Sequence, residues 1–197
     1  MGPKFKYGGS LAPDAGDAWP GPFECALACG TCRGKKKNGA ACTRRTCKAL
    51  PWCWQHARAH GLRIGPSSIA GQGLFAHAKV KDRGQPVFRA GQVIARLKYG
   101  GKRVSNAVMT QRYGREGTAP YGIATGRVKK DGACQRSYVM FANDPRGGPA
   151  SRTANTEFTG AGGLRALRNI MHGQEILVSY GDAYWSGRHR PHKTTAR

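Results

Sequence analysis

The chain has 197 residues, 39% of them hydrophobic, and 29 glycines that follow no collagen period. That length suits one domain with an accessory module, and the composition excludes a fibre. The formal net charge of +23 lies far beyond the magnitude of about 2–8 that serves solubility, and points to nucleic acid or a nucleic acid–protein complex as partner. The excess is spread along the chain: residues 1–65 carry 11 basic and 3 acidic side chains, residues 66–185 carry 18 and 7, and residues 186–197 add +4. No apolar run approaches the roughly 20 residues of a membrane helix, and MGPKFKYGGS lacks the apolar core of a secretory signal. An intracellular protein with reduced thiols and no membrane partner is expected.

Residues 1–20 are rich in Gly, Pro and Ala and read as a flexible tail. Residues 21–61 hold Cys25, Cys29, Cys32, Cys42, Cys47 and Cys53, with His56 close behind. Within them, Cys32-RGKKKNGAA-Cys42 and Cys53-WQ-His56 place soft thiolates and an imidazole at spacings that suit a tetrahedral zinc site, with Gly39 as a turn before Cys42. So short a segment cannot fold on its own apolar area, and a metal would supply the missing free energy. The segment resembles a small zinc-finger-like motif of giant-virus proteins, Cys-x9-Cys…Cys-x2-His. The expected ligands are Cys32, Cys42, Cys53 and His56. Cys25 and Cys29 offer a second site with Cys47, or replace one of the four. The competing view is that these are buried thiols or adventitious disulfides. Cys134 reads as an inert buried thiol. Lys35, Lys36, Lys37, Arg44, Arg45 and Lys48 form a phosphate-contacting surface or a solvated face.

From Leu62 onward, short apolar runs alternate with turns: GLRIGPSSI, GLFAHAKV, QPVFRAGQVIARLKY, SYVMFAND and EILVSY. Their length and their Gly, Pro and Asp boundaries predict short strands and a mainly-β domain over 62–185. Asn106–Gly114 is predicted to be a short helix capped by Ser105. The tail of residues 186–197, SGRHRPHKTTAR, is basic and expected to be disordered.

Four segments carry a family resemblance. Ile69-AGQGLFA brings Gly71-Gln72-Gly73 in front of Leu74 and an apolar strand. Leu97-KYGGKRV places Tyr99 two residues before Gly101. Met140-FANDP is followed by Asn155 in ANTEF. Ile170-MHGQEILVSYGDAYW contains Gly173, Glu175, Tyr180 and Gly181. In this order the four resemble the SET domain of protein-lysine methyltransferases, of the short viral type. The resemblance implies small β-sheets and a C-terminal pseudoknot, in which the Tyr180 strand threads beside the Asn143 loop. It also implies S-adenosyl-L-methionine as methyl donor, held by Gly71, Gln72, Gly73, Leu74, Asn143, Asp144, Tyr180 and Trp185. Tyr180 and Tyr99 would be catalytic walls of a lysine channel. Asp144 stands where the family carries His, and Met140 where an Arg is common.

The resemblance further implies a histone or nucleosome substrate, or viral chromatin, and a monomer or homodimer. If the protein is viral, the expected place is the host nucleus, a viral factory or the virion. The alternative is a non-catalytic nucleic-acid-binding or genome-packaging protein with a degenerate SET fold.

Overall fold

The computed structural model describes residues 4–6, 24–26, 30–46, 50–94, 100–113, 122–125, 128–132, 137–160 and 162–186. The strands, in chain order, are β1 (Lys4–Lys6), β2 (Glu24–Ala26), β3 (Gly30–Thr31), β4 (Arg45–Thr46), β5 (Leu62–Pro66), β6 (Gln72–Ala76), β7 (Val93–Ile94), β8 (Lys102–Val104), β9 (Gly122–Thr125), β10 (Val128–Asp131), β11 (Thr156–Phe158) and β12 (Leu164–Ala166). Three short α-helices accompany them: α1 (Trp54–Ala59), α2 (Asn106–Tyr113) and α3 (Asp182–Ser186). The strands pair antiparallel in small sheets of two or three: β1-β2, β3-β4, β5-β6, β8-β10-β9 and β11-β12-β7. The architecture is mainly β, as expected. Among the described residues, no helix is long and apolar enough to cross a membrane.

The core draws on the β5-β6 and β11-β12-β7 sheets and on the non-strand segments around Val139, Ile170 and residues 176–178. Leu62, Leu74, Leu164, Ile170, Ile176, Val139 and Val178 are fully buried. Each contributes about 1.5–3 kcal/mol by leaving water. The β5-β6 hairpin runs in register from Leu62 opposite Ala76 to Pro66 opposite Gln72, so Leu62, Leu74 and Ala76 enter the core while Gln72 stays exposed at the turn.

The C-terminal segment 175–178 is gripped from several sides. It bridges β6 at Phe75–Glu175, runs parallel to Asn143 at Leu177, and runs parallel to Thr156 at Val178. Buried Asn155 acts there as a substitute for a strand partner: its Oδ1 accepts from Leu177 N–H at 2.8 Å and its Nδ2 donates to Glu175 O at 2.8 Å.

Several local expectations are corrected. SYVMFAND does not form a strand: Tyr138–Phe141 is a 3-10 turn, with Met140 N–H donating to Ser137 O and Ala142 N–H to Val139 O. Three of its four side chains are buried, a pattern that a strand with one solvated face does not give. EILVSY pairs as isolated bridges with three different partners rather than as one strand. In QPVFRAGQVIARLKY only Val93–Ile94 is strand among the described residues, because a turn closes from Gln92 N–H to Arg89 O with Gly91 at φ +76°. Lys4–Lys6, inside the expected tail of residues 1–20, pairs with Glu24–Ala26. The predicted helix is present as α2, with Ser105 Oγ accepting from Val108 N–H at 3.3 Å.

Candidate functional site

The cysteine module is a hairpin of loops closed on one point. Cys42 N–H donates to Gly34 O at 2.9 Å and Cys32 N–H to Arg44 O at 2.9 Å, while Gly39, at φ +82°, turns the chain between them. α1 follows Cys53 directly and carries His56 inward. The Sγ atoms of Cys32, Cys42 and Cys53 and a ring nitrogen of His56 all lie within 4.8 Å of one another, and the three cysteines are buried. His56 Nδ1 is 3.3 Å from both Cys32 Sγ and Cys53 Sγ.

The His56 Nε2 lies 2.7 Å from Lys35 O. A carbonyl only accepts, so Nε2 carries the hydrogen and Nδ1 faces the thiols, available as a metal donor. A side chain at Gly34 would collide with the imidazole, which explains the glycine. Cys32 Sγ accepts from Cys53 N–H at 3.2 Å and from Gly34 N–H at 3.4 Å.

Burial opposes ionisation of Cys53. Hydrogen bonds from the His56 backbone and ring, from Cys32 and from the Gln55 backbone outweigh it and bring the thiol down to about 6. His56 is pushed up to about 9, chiefly by the Lys35 carbonyl and then by Cys53. A positive charge at the centre of this cluster is therefore favourable, whether carried by a proton or by a metal ion. Three thiols and one oriented imidazole make a donor set that can hold one metal ion.

A second hub lies where the β5-β6 turn, the Asn143 loop and the C-terminal segment meet. Its centre is the buried carboxylate of Glu175. Oε1 accepts from Ser67 Oγ at 2.6 Å and Asn143 Nδ2 at 3.0 Å, and Oε2 from Arg152 Nη1 at 3.0 Å. Asn143 Nδ2 also lies within reach of Ala70 O (3.2 Å) and Gln72 O (3.4 Å), so this one amide ties the glycine turn to Glu175. The two glycines of the turn differ. A Cβ at Gly73 would overlap the Glu175 carboxylate, so that glycine serves close packing. At Gly71, at φ +44°, a Cβ would meet nothing within 4 Å, so its backbone is open to an approaching group.

Asp144 organises the third edge. Its side chain is 1% exposed. Oδ2 accepts from Tyr180 N–H at 2.7 Å and Trp185 Nε1 at 2.9 Å, and Oδ1 from Arg146 N–H at 2.8 Å. The Arg146 guanidinium lies 3.5 Å from Oδ2 and 5.6 Å from the Trp185 ring centroid. Tyr180 Oη donates to Ala142 O at 2.9 Å, and the Tyr180 ring meets Tyr184 edge-on at 4.8 Å.

Gly71, Gln72, Gly73, Asn143, Asp144, Tyr180 and Trp185 are thus drawn together through Glu175, Asp144 and the Ala142 carbonyl. The Leu74 side chain belongs to the core, and its carbonyl accepts from Ile176 N–H at 2.7 Å. Tyr99, Cys29, Cys47 and Cys134 lie outside the described residues, as does the side chain of Cys25. Sequence reasoning does not reach Ser67, Arg146 and Arg152. Ser67 and Arg152 meet Glu175 from 108 and 23 positions away, where no local spacing signals the pair, and Arg146 meets Asp182 across 36 positions besides its neighbour Asp144. Compared with protein-family models and with curated proteins, the chain matches none.

Proposed function

We propose that residues 62–185 form a SET-type domain and that the protein is an S-adenosyl-L-methionine-dependent protein-lysine N-methyltransferase, acting on histones, nucleosomes or viral chromatin. The observation that carries this is the junction of the Gly71–Gly73 turn, Asn143 and Glu175 beside Tyr180. The passage of segment 175–178 beside Asn143 supports a pseudoknot. The Cys32, Cys42, Cys53 and His56 cluster is then a structural zinc site, because all four positions are filled by protein donors and none is left for a substrate.

The open backbone at Gly71 fits a close-lying ligand, and Asn143 holds the carbonyls of its neighbours Ala70 and Gln72. S-adenosyl-L-methionine, when bound, supplies an activated methyl group on a sulfonium centre. A free lysine at pH 7 is less than about 1% neutral amine. The Tyr180 and Tyr184 rings form an apolar wall that disfavours the ammonium. The Tyr180 hydroxyl, oriented by Ala142 O, points the amine. Asp144 holds Tyr180 by its backbone N–H and Trp185 by its indole, so it positions the site without touching the reacting atoms. Positioning, rather than acid–base chemistry, contributes most.

The test is transfer of a labelled methyl group to core histones and nucleosomes, with calorimetric titration of the methyl donor. Tyr180→Phe loses one hydrogen bond, worth about 1 kcal/mol of stability, and is expected to lose methyl transfer by about 100-fold or more while the fold persists. Near-normal activity of the purified variant would remove Tyr180 from the mechanism. The second reading, a non-catalytic nucleic-acid-binding or packaging protein, is favoured by the engagement of Asn143 Nδ2 and the Asp144 carboxylate within the protein. Failure to bind the donor at micromolar concentration decides for it.

A further inference from the structure

Trp54, the first residue of α1, is 57% exposed. Two guanidinium groups lie over its ring: Arg44 at 5.6 Å and Arg58 at 5.0 Å from the centroid. Arg44 also lines an open depression of about 710 Å³, together with Lys35, Lys36, Lys37, Gln55 and, from the Cys/His cluster, Cys42 and His56. The aromatic ring and the lysine-lined depression therefore adjoin through a shared arginine. Between Glu24 and Asp82 the chain contains no acidic residue. Among the described residues, none of these five basic side chains forms an ion pair.

We propose that this face of the metal module grips single-stranded nucleic acid. Trp54 stacks on an unpaired base. Arg44 and Arg58 hold the ring and meet the flanking phosphates. Lys35, Lys36 and Lys37 follow the backbone along the depression. Solubility explains the lysines but not the exposed indole. An acidic protein would pair with the charges but has no planar face to match Trp54. A duplex offers phosphates, yet its base faces are hidden in the stack. A strand with unpaired bases satisfies both the charge and the ring. The surface requires the module to be folded but is independent of methyl transfer.

The test uses the full-length protein and two fluorescein-labelled probes, a 20-nucleotide oligothymidine and a 20-base-pair duplex, read by anisotropy at several salt concentrations. The single strand is expected to bind more tightly. Trp54→Ala should weaken it about tenfold, the size of one missing base–aromatic stack, and leave the duplex within about twofold. Trp54→Phe keeps an aromatic face and should retain most of the affinity. The combined Lys35→Ala, Lys36→Ala and Lys37→Ala variant should flatten the salt dependence, by about 0.7 in log–log slope for each phosphate no longer neutralised.

Metal content and thiol reactivity, measured on every variant, certify that the module is intact. Unchanged oligothymidine binding by Trp54→Ala overturns the proposal. So does a duplex preference in the wild-type protein, or equal loss in Trp54→Phe and Trp54→Ala. No methyl donor is present, so these results and those of the methyl-transfer assay fail or succeed separately.

Discussion

Asp144 is the residue at which sequence and geometry meet most sharply. It occupies the place where the resembled family has His, and its carboxylate accepts the Tyr180 N–H and the Trp185 indole from a nearly dry position. A buried carboxylate is tolerated only when its acceptors are filled, and here backbone, indole and guanidinium donors fill them. Asp144→Asn keeps the shape but turns one acceptor into a donor facing other donors. It should cost about 2–3 kcal/mol, lower the melting temperature by about 4–12 °C in calorimetry, and reduce methyl transfer through loss of Tyr180 placement. A melting temperature within about a degree of wild type would sink the strut role. The two glycines of the β5-β6 turn provide a sharper contrast. Gly73→Ala drives a methyl group into the Glu175 carboxylate, whereas Gly71→Ala meets open space and only a strained φ of +44°. Thermal melts should therefore rank Gly73→Ala as the more destabilising, by about 1–3 kcal/mol of overpacking, against about 1–2 kcal/mol for the left-handed backbone at Gly71. Donor binding should be hit harder by Gly71→Ala than its stability loss explains.

At the scale of elements, the cysteine module cannot stand on secondary structure. β3 and β4 have two residues each and α1 has six, lengths at which an isolated helix or hairpin is unstable in water. One link to the larger domain, beside Ala57 of α1 and Leu50 in the core, is Trp52, which packs on the buried cysteines, stacks on Tyr138 at 5.5 Å and accepts the Tyr138 hydroxyl at its carbonyl, 2.8 Å away. Burial, together with the nearby Cys32 and Cys53 charges, pushes the Tyr138 hydroxyl pKa upward, so it remains a donor across the physiological range. Tyr138 opens the 3-10 turn that ends beside Ala142, the acceptor of Tyr180. Removal of the metal should thus be felt at the candidate active site. Cys42→Ser is expected to lower zinc content by one equivalent per chain in elemental analysis, depress the melting temperature, and reduce methyl transfer although Cys42 is not part of that site. An unchanged zinc content would show that the four donors are not the ligands. The Cys/His cluster is legible in the sequence because Cys and His at short spacings on a turn are a local code. The partners of Glu175 are not, since Ser67 and Arg152 come from remote loops. The run Tyr138–Phe141 reads as a strand in the sequence because four apolar residues have no period, and only their tertiary burial selects the 3-10 turn.

For the whole molecule the governing quantity is charge. A net +23 repels a free basic histone tail at long range and draws the protein to phosphate. The basic surface is not confined to one part of the sequence: 18 basic against 7 acidic residues fall within 66–185, so the domain proposed to be catalytic carries part of the attraction itself. Docking on the nucleic acid of a nucleosome would place the channel near a tail at a high local concentration, and the repulsion would cease to matter. Methyl transfer to nucleosomes should then exceed transfer to an isolated tail peptide by at least about tenfold at physiological salt. The two substrates should also respond oppositely to ionic strength. If binding neutralises three phosphates, affinity for nucleosomes falls about 40-fold between 50 and 200 mM salt. Over the same range the peptide rate should hold or rise, because salt screens the repulsion between like charges. Steady-state rates measured on both substrates across that range decide the matter. Equal rates, or parallel salt dependences, would mean that the charge serves something other than delivery of the substrate.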